Sequence, residues 1–288
     1  MTRLGLGLIW LLHFLPLSAL AVLGRALGRL FFLLGRRRRR IALVNLRLCF
    51  PQMTERARMV LVGKHFAAFG RSFLERGILW WAPERRIRRL VRVDGGEHLA
   101  AAAGTPVILL TPHFVGLDMG WTRLTCDHDM VSVYANQKDF YFNAALLHGR
   151  ERFGKSELLS RQAGIRRAIS AMQKGLPFYY LPDMDYGQRD TIFVPFFGYP
   201  TATLTGVSRL ARICGAKVIP CVTRMLDGGD GYVVKLYPAW DNFPGTGIES
   251  DTRRMNAFIE ERVLEMPEQY YWVHRRFKTR PPGEAKPY

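Results

Sequence analysis

From Glu97 onward the chain switches repeatedly between short apolar runs and longer stretches with helical spacing, and this alternation constrains the fold more than any other feature. The apolar runs Val107–Leu110, Met130–Tyr134, Pro177–Leu181, Lys217–Thr223 and Tyr232–Leu236 have the length and β-branched content of strands. Between and after them, Glu97–Ala103, Asn143–Phe153, Gln162–Lys174, Thr205–Cys214 and Asp251–Glu265 carry helical periodicity. The expectation is an α/β fold, a central mixed sheet flanked by helices. Three regions follow: a membrane anchor and interfacial helix over 1–34, a basic helical accessory segment over 35–92, and a catalytic domain over 93–288.

Leu4 to Leu23 is a run of 20 residues without a charge. At a helical rise it would span about 30 Å, the thickness of a bilayer hydrocarbon core. Residues 1–40 hold eight arginines and no acidic residue, and five of the arginines form the block Arg36–Arg40. Arginines beyond an apolar segment keep that side in the cytoplasm and oppose cleavage of the segment as a signal peptide. The reading is a single-pass anchor in an inner membrane, with the catalytic domain on the cytoplasmic face. Helices are expected over 41–49 and 54–80, broken at Phe50-Pro51, and Val93–Gly96 reads as a turn. The whole chain carries a net charge of +18, of which +10 lies outside the first 40 residues. Such a field suits phospholipid, a phosphorylated substrate or an acidic carrier protein. Nucleic acid is also anionic, but no nucleic-acid motif is present. Four cysteines show neither zinc-ligand spacing nor disulfide-scaffold density, so no metal or cofactor is expected.

The strand Val107–Leu110 stops at Thr111-Pro112 and delivers His113, with Asp118 five residues on. Strand ends of this kind are where α/β sheets place their sites, and an imidazole there is a general-base candidate. Five residues on a regular helix separate two side chains by roughly 140°, so the two could pair only across a strand-to-helix turn, which Gly116 makes possible. A solvent-facing histidine beside an N-capping aspartate fits the same residues. Asp183 and Asp185 in Leu181–Gly187 close another apolar strand, either to orient site residues or as turn chemistry. Thr191–Gly198 (TIFVPFFG) suits a greasy channel or core packing equally. Tyr270–Lys278 (YYWVHRRFK) interleaves aromatics with cations as interface belts and phosphate clamps do. A serine hydrolase would need a nucleophile, and Gly206-Val207-Ser208-Arg209-Leu210 fails the G-x-S-x-G pattern at its last position.

Together HFVGLD, PDMDYG, FVPFFG, GAKVIPCVTR and PEQYYWVHRRFKTRPPGE resemble the lipid A biosynthesis lauroyl acyltransferase family, within the wider glycerolipid acyltransferase superfamily. The resemblance runs from the anchor to the tail. It implies transfer of a fatty acyl chain from acyl carrier protein to the hydroxyl of a 3-hydroxyacyl chain on a lipid A precursor, with inner-membrane phospholipid as surroundings. His113 would act as base with Asp118 as its partner. Arg150, Arg189, Arg275 and Arg276 would meet phosphates or sugar-acid carboxylates of the glycolipid, with Asp183 and Asp185 lining the site. An acyl-CoA-dependent glycerophospholipid or glycolipid acyltransferase, or a thioesterase, are the other readings. The chain departs from the family pattern twice: Asp118 stands where a glutamate is usual, and Tyr134-Ala135-Asn136 replaces Tyr-Arg-Pro.

Overall fold

The computed structural model describes residues 2–160 and 165–288. Strands β1 (Val91–Asp94), β2 (Val107–Leu110), β3 (Val131–Tyr134), β4 (Glu157–Ser160) and β5 (Phe178–Tyr180) are followed by a hairpin of β6 (Thr191–Phe196) and β7 (Tyr199–Leu204), then β8 (Lys217–Met225) and β9 (Tyr232–Leu236). Outside the hairpin these form one mixed sheet in the order β1-β9-β8-β2-β5-β3-β4. From β8 to β4 all neighbours are parallel, while β9 runs antiparallel to β8 and parallel to β1. Central β2 is buried along its whole length, which is why it reads as an unbroken Val-Ile-Leu-Leu run rather than an alternating one.

The helices in chain order are α1 (Thr2–Leu12), α2 (Leu17–Leu34), α3 (Arg36–Cys49), α4 (Glu55–Leu74), α5 (Arg76–Trp81), α6 (Glu84–Leu90), α7 (Gly96–Ala100), α8 (Leu117–Leu124), α9 (Phe140–Arg150), α10 (Ile165–Gln173), α11 (Gly206–Cys214) and α12 (Ile248–Glu265). Successive strand residues face opposite sides of the sheet. Ile108 and Leu110 of β2 therefore join a core with α3, α4, α10, α11, α12 and the C-terminal segment, while Val107 and Leu109 join one with α2, α5, α8 and α9. The start of the helix expected over Gln162–Lys174 lies outside the described residues.

The uncharged stretch Leu4–Leu23 is not one helix. Proline lacks the N–H that a continuing helix needs, and Pro16 accordingly separates α1 from α2. Among the described residues, the helix long and apolar enough to cross a membrane, by length and composition, is α2, which includes Arg25 and Arg29. One face of α2 lies directly on α4. Added Cβ atoms would lie 2.2 Å from Phe66 O at Gly28 and 2.3 Å from Gly24 O at Gly70, so the two backbones touch where only glycine fits. The other face is open: Val22, Leu23, Leu30, Leu33 and Leu34 are exposed, as are Leu4, Leu8, Leu11 and Phe14 in and after α1.

Helix α4 starts at the Thr54 cap, whose hydroxyl accepts from Ala57 N at 3.2 Å. The single helix expected over 54–80 breaks at Glu75, which turns its carboxylate inward to Arg71 Nε (3.1 Å) and the Tyr232 hydroxyl. The turn expected over Val93–Gly96 is instead the end of β1 followed by left-handed Gly95 (φ 77°).

Candidate active site

Because β2 and β5 are parallel neighbours with Leu110 opposite Tyr180, the segments leaving their C-terminal ends emerge side by side. One carries His113 and the other Asp183. Asp183 Oδ1 lies 2.6 Å from His113 Nδ1, and Oδ2 accepts from the His113 backbone N–H at 3.0 Å. The carboxylate thus fixes ring and backbone together. From the opposite side, Tyr271 N donates to His113 O at 3.0 Å and Val115 N to Gln269 O at 2.9 Å, so the histidine segment is paired along the tail. Asp183 is 1% exposed. Burial by itself pushes its carboxyl up, but the His113 charge, the two hydrogen bonds from His113 and the charge of Arg276 together hold it below the ordinary range.

This geometry corrects the expected partner. Asp118 sits in the first turn of α8 and bonds Arg150 Nη2 at 2.5 Å, with Arg76 Nη1 3.6 Å away. A strand-to-helix turn does follow His113, but it carries Asp118 into these arginines, while the neighbouring strand supplies the imidazole's carboxylate. Burial raises the Asp118 carboxyl; Arg150 and Arg76 outweigh it, and the group is lowered. Gly116 at this turn has an ordinary right-handed conformation, and its role is space, since a Cβ there would lie 3.2 Å from the Tyr232 ring.

The remaining expected residues separate into three groups. Arg150 is at the site, tied to Asp118. Asp185 is 3% exposed and holds the tail: Oδ2 accepts from Thr279 N at 2.6 Å, and Oδ1 from the Thr279 hydroxyl at 2.7 Å and Gly187 N at 3.0 Å. Its contacts are those of a latch and not of a ligand group. Arg276, expected at a phosphate, is buried at 3% exposure and donates to Ala202 O (2.7 Å) and Thr203 Oγ1 (3.0 Å) of the hairpin. Trp272 and Tyr270 are buried with it, so this segment is no interface belt. Thr191–Gly198 is the hairpin's first strand and turn, with Val194 and Phe196 buried. Arg275 lies half-buried over the Tyr288 ring at 5.8 Å, and Arg189, with its side chain 95% exposed, stands near Asp190.

Two residues at the site were not singled out from sequence. His274 accepts at Nε2 from Asp185 N at 3.0 Å, and burial, with His113 and Arg276 beside it, lowers it to about 4, so it is neutral at pH 7. Arg76 carries no sequence signal beyond being one more arginine on an accessory helix. His113, Asp183, Met184, Tyr270, Tyr271, His274 and Arg276 enclose a cavity of about 10 Å³, room for a water-sized group. With Nδ1 bound to a buried carboxylate, Nε2 is the nitrogen left to take a proton. Chemically, such an arrangement can act as a general base with an orienting acid.

The sequence profile described as bacterial lipid A biosynthesis acyltransferase matches residues 1–279. The chain is 37% identical to the lipid A biosynthesis lauroyltransferase of Escherichia coli K12, covering all of this chain and 94% of that protein. It is 32% identical to the palmitoleoyltransferase of the same strain, again over all of this chain and 94% of the relative. With that strain's myristoyltransferase it shares 33% identity over 93% of this chain and 83% of the relative. A crystal structure of a 1-acyl-sn-glycerophosphate acyltransferase from Thermotoga maritima aligns over 94% of this chain and 99% of that one, with a TM-score of 0.42 and 13% identity.

Proposed function

The chain belongs to the bacterial lipid A biosynthesis acyltransferase family and is an acyltransferase of lipid A synthesis, and on that premise we propose that His113 is its general base, oriented by Asp183, with acyl carrier protein as donor. A hydroxyl is a poor nucleophile at neutral pH. His113 Nε2 takes the proton of the acceptor's hydroxyacyl group as its oxygen attacks the thioester carbonyl carbon. The new C–O ester bond forms as the C–S bond breaks, and the imidazolium returns its proton to the departing thiolate. The buried Asp183 carboxylate keeps the Nδ1–H tautomer and stabilises the imidazolium in between. The contact that carries this reading is the 2.6 Å approach of Asp183 to Nδ1 at the end of β2.

Asp118, Arg150 and Arg76 form the charged flank of the site. The net charge of +18 favours an acidic carrier protein as donor. The exposed apolar sides of α1 and α2, beside the Arg36–Arg40 block, support attachment to the cytoplasmic face of the inner membrane. Incubation with labelled acyl carrier protein and a hydroxylated lipid A precursor tests the assignment. His113→Ala is expected to reduce ester formation by about 10²- to 10⁴-fold while the fold is retained. Normal turnover in that variant would refute His113 as base, and release of free fatty acid by the unmodified enzyme in the presence of acceptor would replace transfer with thioester hydrolysis.

A further inference from the structure

Arg76 opens α5 and stands beside Asp118, yet it is the less satisfied of the two arginines that carboxylate faces. Arg150 bonds Asp118 Oδ1 at 2.5 Å, whereas Arg76 Nη1 is 3.6 Å from Oδ2, close enough for attraction and too far for a hydrogen bond. Arg76 Nε is buried without a partner, and among the described residues the guanidinium finds no hydrogen-bond acceptor. Arg71 Nη2 and the Nε atoms of Arg58, Arg262 and Arg276 are also unpartnered among the described residues, but each of those guanidinium groups has at least one acceptor, as do the other arginines drawn inward. Arg71 donates to Leu226 O and Glu75, Arg86 to His13 O and Leu15 O, Arg152 to Leu79 O and Ala82 O, and Arg280 to Pro200 O and Glu284. The charge count points the same way. One carboxylate faces two guanidinium groups, leaving a surplus positive charge on the flank of the base, and both arginine side chains retain solvent access, 23% for Arg76 and 22% for Arg150.

A guanidinium is always charged, and its planar fork of donors matches the oxygens of a phosphoryl group. We infer that Arg76 binds a phosphoryl group of a substrate, with Asp118 holding the guanidinium in place through charge. The inference rests on the proposed function, because it needs a phosphorylated substrate at this site. Two sources offer the same chemistry: the phosphates of the acceptor glycolipid and the phosphodiester of the donor's pantetheine arm.

Equilibrium binding in the His113→Ala background, where no turnover intervenes, separates them. The first probe pair is the phosphorylated acceptor in detergent micelles against its enzymatically dephosphorylated form. The second is acyl-phosphopantetheine against acyl-pantetheine. With Arg76 present, loss of phosphate from the pair that uses it is expected to weaken binding about 10- to 100-fold. With Arg76→Ala added, that discrimination falls to about 2-fold, and Arg76→Lys, which keeps the charge without the fork, gives an intermediate value. Arg76→Gln, whose amide approximates the side chain's shape, serves if the alanine variant loses its near-ultraviolet circular dichroism. Collapse of discrimination in the first pair assigns the acceptor's phosphate, and in the second the donor's; either supports the inference. Discrimination that survives in both pairs without Arg76 overturns it and leaves the functional reading standing. Failure of all four probes to bind any variant overturns both.

Discussion

Replacing Asp183 by Asn changes one oxygen into an NH2 group inside a site that uses both oxygens. In the native arrangement Oδ1 faces His113 Nδ1 at 2.6 Å and Oδ2 faces the His113 backbone N–H at 3.0 Å, with 1% of the residue exposed. Asparagine has two ways to sit there. With its oxygen on the backbone N–H, its NH2 donates to Nδ1, the ring proton moves to Nε2, and the base is occupied. With its oxygen on Nδ1, its NH2 opposes the backbone N–H, and a buried donor loses its acceptor at a cost of about 1–3 kcal/mol. Neither arrangement supplies the charge that steadies the imidazolium. The analogous change in a His–carboxylate pair lowers kcat by about 10⁴, equivalent to roughly 5 kcal/mol of barrier. Single-turnover acyl transfer by Asp183→Asn should therefore fall by about 10³- to 10⁴-fold, with acceptor binding changed little. Asp118→Asn should lose less, because it relaxes Arg150 and Arg76 without touching the ring. Asp183→Asn retaining more than about a tenth of the rate, while Asp118→Asn loses 10³-fold, would make Asp118 the partner and refute the reasoning.

His65 is buried with Nδ1 3.0 Å from Glu268 O and Nε2 unpartnered among the described residues, and burial, against that hydrogen bond, lowers it from 6.5 to about 4. The unfolded chain binds the extra proton first, so the contribution is fully present above about pH 6.5 and is lost as pH falls toward 4, roughly 3 kcal/mol at most. Urea melts across that range should show a shallower decline for His65→Gln than for the native chain, and equal slopes would contradict the assignment. At the α2–α4 contact, Gly28→Ala places a Cβ 2.2 Å from Phe66 O. The helices must separate, so a loss of about 1–3 kcal/mol is expected in denaturant unfolding; an unchanged midpoint would show that α2 is not packed there in solution. For the same reason removal of residues 1–34 should destabilise the catalytic region as well as weaken membrane attachment, because Leu17, Leu20 and Ala21 leave the core with α2.

Central strands and long amphipathic helices were legible because their patterns repeat over many residues. Burial on both faces forces β2 to be Val-Ile-Leu-Leu, and Pro112 marks where it ends. The edge strands β1 and β4 were not legible: each is four residues long and paired on one side, so partners supply what local sequence does not. The same limit explains the site. His113 and Asp118 are near in sequence, and proximity made them a pair on paper; His113 and Asp183 are 70 residues apart and meet because β2 and β5 are adjacent, a fact of sheet order that periodicity does not encode. In the tail, alternating aromatic and basic residues read equally as a surface belt. Only the contacts of Arg276 with Ala202 and Thr203, and of Asp185 with Thr279, show a segment threaded into the core to fix the loop that bears Asp183. The tail is therefore tied to His113 by hydrogen bonds: Tyr271 N donates to His113 O, and Asp185, two residues from Asp183, is held by Thr279 and His274. A change at Thr279 should accordingly reach the imidazole without any contact with substrate.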